Sequence, residues 1–227
     1  MRSDRARLLA TILTSAILPL ALLTAVMLSL GFLTANVFAH VWPFNVEVGV
    51  VRAFVALRTR EWNRISDLVS QLAYYAGLII AWAVAGGIMR IVYRRWRETL
   101  FLAAAVLSQA VVYFITSRVI IRVRPAAPKL DHFNPMRSFP SGHVAAGLAL
   151  YGGIAVVLTM HSEKKWRAVL WWALGLSVPI AVGLSRFYRG MHYPSDVIAG
   201  FIIGFGSLWI VYRAMLKPAK QRGSVAS

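Results

Sequence analysis

The chain has 227 residues, the size of one domain, with 59% hydrophobic residues, only 15% charged ones and a positive mean hydropathy. That balance excludes an ordinary soluble globular protein and places the chain in a lipid bilayer. The net charge of +17 would suggest nucleic acid in a soluble chain, but here Lys and Arg cluster between apolar runs, so no nucleic-acid partner is expected; zero cysteines exclude disulfides and thiolate catalysis.

Apolar runs at 8–37, 68–92, 100–121, 143–160, 169–184 and 197–216 predict an all-α bundle of six transmembrane helices, one integral-membrane domain over 1–227. Most are near the roughly 20 residues that span a bilayer as helix. The first run, with Arg2, Arg5 and Arg7 before it and Val37-Phe38-Ala39 after it, has the outline of a signal peptide. Its apolar part is much longer than the roughly 7–15 residues of a signal core, so it reads as an uncleaved first span. Between the first two runs, Val48, Val51, Phe54, Val55 and Leu57 alternate helically with Arg52, Arg58 and Arg60. This predicts an amphipathic surface helix in the first outer loop, either a plain connector or a lip that guides a lipid head group.

Arg90, Arg94, Arg95 and Arg97 follow the second run, Lys164, Lys165 and Arg167 the fourth, and Arg213, Lys217, Lys220 and Arg222 the sixth. The positive-inside rule makes these regions and both termini cytoplasmic, in a multi-pass protein of the plasma or inner membrane, and turns the alternate loops outward. Arg118, Arg122, Arg124, Arg137, Arg186 and Arg189 lie in those outward loops against the bias, which points to something anionic for them to bind. The loop 122–140 carries Pro125, Pro128, Pro135 and Pro140 and is expected to be irregular. Pro19 and Pro179 are expected to kink their spans, Gly200 and Gly204 to form a small-residue packing surface, and Trp42, Trp96 and Trp166 to mark the membrane interfaces.

Chemistry concentrates at the ends of the later runs. Pro140-Ser141-Gly142-His143 opens the fourth span, where helix N–H groups, an approachable glycine and the Ser141 hydroxyl favour an anion, and where His143 can act as a general acid. Ser-Gly-His alone also reads as a simple helix cap. His192 and Asp196, four apart at the entrance of the sixth span, can meet over one helical turn, leaving one imidazole nitrogen as nucleophile or base. Arg124 and Arg186 would face the same pocket with guanidinium forks that match phosphoryl oxygens. One carboxylate among so many cations is a poor metal site, so neither metal nor cofactor is expected.

These residues resemble the type 2 phosphatidic acid phosphatase (PAP2) superfamily of integral-membrane lipid phosphatases, whose pattern is K-x6-R-P, then P-S-G-H, then S-R-x5-H-x3-D. The second and third motifs stand complete as Pro140 to His143 and Ser185 to Asp196. The resemblance implies metal-independent hydrolysis: His192 attacks phosphorus, Asp196 orients it, His143 protonates the leaving oxygen, and Arg124, Arg186, Ser141 and Gly142 hold the phosphoryl group. The first motif departs, because Ser117 stands where the family has lysine; Arg118 is expected to replace it in part, with Arg122 also near. The implied partner is a membrane lipid, with undecaprenyl pyrophosphate favoured by the extra outward arginines. Phosphatidylglycerophosphate, phosphatidic acid and lipid A phosphates are alternatives, as are a lipid phosphotransferase and a non-catalytic phospholipid-binding protein. Vanadium haloperoxidases would share such an anion pocket, but they are soluble. The oligomeric state has no signature in the sequence.

Overall fold

A computed structural model describes residues 13–216; Arg2, Arg5, Arg7, Lys217, Lys220 and Arg222, and the start of the first predicted span, lie outside them. Six helices are long and apolar enough to cross a membrane: α1 (Leu13–Val37), α4 (Tyr75–Tyr93), α5 (Arg97–Val119), α6 (Gly142–Met160), α7 (Lys165–Tyr188) and α8 (Pro194–Met215). Two shorter helices, α2 (Glu47–Ala56) and α3 (Arg60–Gln71), fill the loop after α1. The protein is therefore an all-helical, multi-pass membrane protein, as its apolar runs predict.

The surface segment is two helices rather than one. Thr59 breaks it in extended backbone, and its hydroxyl accepts from the Trp62 N–H at 3.2 Å to cap α3. Arg58 in the break donates to the carbonyls of Tyr188 (2.9 Å) and Pro128 (2.9 Å), which fastens it to the far end of α7. The fourth helix begins at Tyr75 instead of residue 68 because α3 carries its pattern inside out. Ser66 and Ser70 face inward while Trp62, Ile65 and Leu68 are exposed.

Helix α6 is the axis of the bundle: 61% of its most apolar window is buried, against 11% for α1 and α4. It packs with α5 and α8 around Phe101, Leu102, Leu150 and Leu208, and with α1 around Met27, Val112, Ala145 and Ile203. The small residues of α8 make this possible. A Cβ on Gly200 would lie 2.6 Å from the Ser141 carbonyl, and one on Gly204 2.8 Å from the Leu148 Cβ. Their close approach sets the first turn of α8 directly against the start of α6, bringing two of the motifs together.

The remaining motif arrives on the loop between α5 and α6, irregular as its prolines imply but pinned by a bridge between Arg122 and Arg137. Arg122 N donates to the Met136 carbonyl (3.1 Å), Ser138 N to Arg122 (2.9 Å) and Arg124 N to Pro135 (2.9 Å). Pro135 enters this short ladder through its carbonyl, so its missing N–H costs nothing. Extended backbone alternates faces, so Ile121 and Val123 are exposed while Arg122 and Arg124 turn inward. The basic residues Arg94, Arg95 and Lys164 lie between α4 and α5 or between α6 and α7, and Arg97 and Lys165 open α5 and α7, all at the end away from this loop.

Candidate active site

His192 sits between α7 and α8, buried, with its Nδ1 2.7 Å from the backbone carbonyl of Ser138. A carbonyl can only accept, so Nδ1 carries the proton and Nε2 holds the free electron pair. Arg124 Nη1 faces that Nε2 at 3.4 Å. The Asp196 carboxylate lies one step back, with Oδ2 3.7 Å from Nδ1. Sequence spacing places Asp196 as the direct partner of the imidazole; the geometry puts the Ser138 carbonyl there first. Asp196 Oδ2 accepts from the Ser138 hydroxyl (2.5 Å) and the Tyr193 N–H (2.8 Å), and Oδ1 accepts from Arg122 (2.5 Å). It thus closes the first turn of α8, where Pro194 occupies a position that needs no amide proton and a negative charge is favoured.

Groups suited to an anion lie on the segments next to the imidazole. Ser141 precedes α6 but makes no capping bond, and its hydroxyl is buried without a partner among the described residues. The simple-cap reading of Ser-Gly-His therefore fails. Arg186 is buried, gives Nη2 to Ser70 (2.6 Å) and Asp131 (2.9 Å), and leaves its Nε without a partner among the described residues. Unpaired buried donors cost energy and persist where a ligand satisfies them. Arg124 is oriented by the carbonyls of Asn134 (3.0 Å) and Met191 (2.6 Å). His143 lies within electrostatic reach of Arg186, His192, Asp131 and Arg124, stacked on Tyr74 (5.8 Å between centroids) and edge-on to Phe133 (5.9 Å).

Comparison with known proteins gives the family. Residues 98–220, more than half of the chain, match the model of the PAP2 superfamily. The chain belongs to the PAP2 superfamily. It is 26% identical over 169 residues to phosphatidylglycerophosphatase B of Bacillus subtilis (strain 168), covering 74% of this chain and 82% of that one. It is 27% identical over 170 residues to the undecaprenyl-diphosphatase of Sulfolobus acidocaldarius, covering 71% and 73%. A crystal structure of a transmembrane PAP2-type phosphatidylglycerolphosphate phosphatase from Bacillus subtilis superposes with a TM-score of 0.72 at 22% identity, over 92% of this chain and 96% of that one, a likeness of fold. The present PAP2 protein is a lipid phosphatase.

Within this PAP2 site the first-motif departure is not repaired by Arg118. That residue is exposed on the last turn of α5, with its guanidinium 4.5 Å from the Phe114 ring. Ser117 is buried and its hydroxyl turns back to the Phe114 carbonyl at 3.3 Å. Gly142 has a structural reason beside any approach of an anion, since a Cβ there would stand 2.7 Å from the Tyr113 ring. Sequence reasoning missed Ser138, Asp131, Ser70 and Glu47. Asp131 is the informative omission: burial pushes its carboxyl up, but hydrogen bonds and charge from Arg189 and Arg186 outweigh that and hold it below the usual carboxylate range.

Burial pulls the His192 imidazole down to about 4, assisted by Arg124 and opposed by the hydrogen-bonding influence of Asp196. The sign follows: a histidine depressed from its ordinary value of about 6.5 is neutral at every pH above the depressed value. Its neutral form stabilises the fold above about 6.5, and that advantage disappears as pH falls toward about 4. The acid limb of kcat/KM, corrected for ionisation of the substrate, is therefore expected well below pH 6. A limb at or above 6.5 would contradict a neutral, buried His192.

Proposed function

We propose that this lipid phosphatase removes the terminal phosphate of a membrane lipid by way of phospho-His192. The observation that carries the reading is the Nδ1–H bond to the Ser138 carbonyl, which presents the Nε2 electron pair toward Arg124. Nε2 forms a bond to phosphorus; the bond to the lipid oxygen breaks and its electron pair leaves with that oxygen, which takes a proton from His143. The phosphorylated imidazolium is supported by the Ser138 carbonyl and the Asp196 carboxylate. Water then gives a proton to His143 and attacks phosphorus, releasing phosphate and neutral His192. Arg124, the Arg186 Nε and the Ser141 hydroxyl hold the phosphoryl oxygens through both displacements.

Both carboxylates near the phosphoryl pocket are already engaged, Asp131 by Arg186 and Arg189 and Asp196 by Arg122 and Ser138. Among the described residues no group of three or more His, Cys, Asp or Glu is placed to hold a metal. This donor set supports charge stabilisation by guanidinium groups. It also bears on substrate choice: Arg122 is taken up by Glu47 and Asp196, Arg189 by Asp131 and Asp67, and Arg118 lies outside the pocket. Of the six outward arginines, Arg124 and Arg186 are the two that act electrostatically on both His143 and His192, and two guanidinium groups suit one phosphoryl group, so the arginine count no longer singles out a diphosphate. Undecaprenyl diphosphate keeps the support of the Sulfolobus relative's name, and phosphatidylglycerophosphate that of the Bacillus one. The basic clusters at the end away from the site support an extracytoplasmic active site in the plasma membrane.

The test is phosphate release by purified protein, in detergent with excess chelator, from undecaprenyl diphosphate, phosphatidylglycerophosphate and phosphatidic acid. Release from one or more of these is expected, and their kcat/KM values rank the head groups. Release that appears only when a divalent cation is restored would overturn the histidine mechanism.

A further inference from the structure

The carboxylate of Glu47, at the start of the surface helix α2, is buried inside the bundle and reaches the back of the active site. Its Oε1 accepts from the Ser195 N–H (2.8 Å), and its Oε2 accepts from the Ser195 hydroxyl (2.8 Å) and from Arg122 Nη2 (3.0 Å). Arg122 Nη1 in turn meets Asp196 Oδ1 (2.5 Å) and the Ser195 hydroxyl (2.7 Å), while the guanidinium lies 4.4 Å from the Tyr193 ring. One buried arginine is thus shared between two carboxylates, one from α2 and one from the catalytic end of α8.

We infer that Glu47 is a positioning residue for catalysis, setting the place and charge of Asp196 by competing with it for Arg122, so that seating of α2 is coupled to the readiness of His192. The inference rests on the phospho-His192 reading. Seating α2 alone has a cheaper solution: residue 47 lies on the same stripe as Val51 and Phe54, and an apolar side chain there would pack without desolvating a charge. What a carboxylate adds is a second claim on Arg122. Without it the guanidinium falls wholly to Asp196, drawing that carboxylate away from His192 and reducing the negative charge that supports the imidazolium formed on phosphorylation. Among the described residues the side-chain route from Arg122 to His192 runs through Asp196, by way of Ser138 and across the 3.7 Å gap, while the Arg122 backbone carbonyl holds the Ser138 N–H whichever carboxylate the guanidinium serves.

The experiment is a double-mutant cycle on steady-state kinetics, with thermal unfolding in detergent as the control for folding. Glu47→Gln is expected to lower kcat about tenfold, the lower end of what partners one step removed from a functional imidazole contribute, with KM within about twofold. Glu47→Asp, which keeps the charge, should recover part of the loss and carries the test if the Gln variant does not fold. In an Asp196→Asn background, Glu47→Gln should cost nothing further, because the route through Asp196 is already cut. The inference is overturned if Glu47→Gln turns over like the parent, if Glu47→Asp is no better than Gln, or if the two losses simply multiply. A parent that releases no phosphate counts instead against the phosphatase reading.

Discussion

Alanine in place of His192 is expected to lower kcat for phosphate release by at least about 10⁴-fold, the scale on which removal of a nucleophile acts when binding groups remain. Arg124, Arg186 and Ser141 stay in place, so the variant should still bind inorganic phosphate with similar affinity when assayed by displacement of a bound lipid analogue. His143→Ala is expected to behave differently. Its role is to hand a proton to the leaving oxygen, a contribution of about 10²–10⁴ that shrinks when the leaving group needs no proton. With an activated aryl phosphate the His143 variant should therefore regain a burst of phenolate release, whereas the His192 variant should not. Quenching in alkali and probing for acid-labile phosphate on the protein separates the two: labelled phosphohistidine should accumulate in the His143 variant, because water attack has lost its base, and be absent without His192. Equal loss in both variants, with no burst and no label, would mean that the nucleophile is elsewhere.

The parts of this architecture that follow from local rules were legible in advance. Six apolar runs became six spans because a bilayer permits little else. Gly200 and Gly204 became a helix contact because only small residues let α8 approach the Ser141 carbonyl. His143, His192, Arg124 and Arg186 converge because the ends of α5, α6, α7 and α8 share one side of the bundle. What escaped reading is carried by partners far apart in sequence. Glu47 meets Ser195 and Arg122, and Asp131 meets Arg186 and Arg189, across separations that no spacing announces. A signal for Glu47 did exist, a carboxylate four residues before Val51 on an otherwise apolar stripe. The alternation of Ile121, Arg122, Val123 and Arg124 likewise marks two arginines on one face of an extended segment. Arg118 was misplaced because adjacency along a helix rotates a side chain by about 100°, and the turn carries it out to Phe114.

Arg186→Lys is expected to lower kcat/KM by about 10²–10³, although the charge is retained, because the loss is one of geometry. In the parent, Asp131 takes Nη2 and fixes the plane of the guanidinium, which leaves Nε as an unsatisfied donor. A lysine ammonium can meet Asp131 or the phosphoryl oxygen, and with the carboxylate already in place it has reason to choose the carboxylate. Inhibition by inorganic phosphate should weaken by about tenfold, less than the loss in kcat/KM, because the fork is worth more to the transition state than to the bound anion. Stability should change little, since Arg189 continues to hold Asp131 through Nε at 2.8 Å and a neighbouring nitrogen. Asp131→Asn provides the complementary measurement: it frees both guanidinium groups, so it should tighten inorganic phosphate while lowering kcat through loss of orientation. Were Arg186→Lys to retain full activity, Arg186 would be acting as a simple cation, and the unpartnered Nε would have no part in holding phosphate.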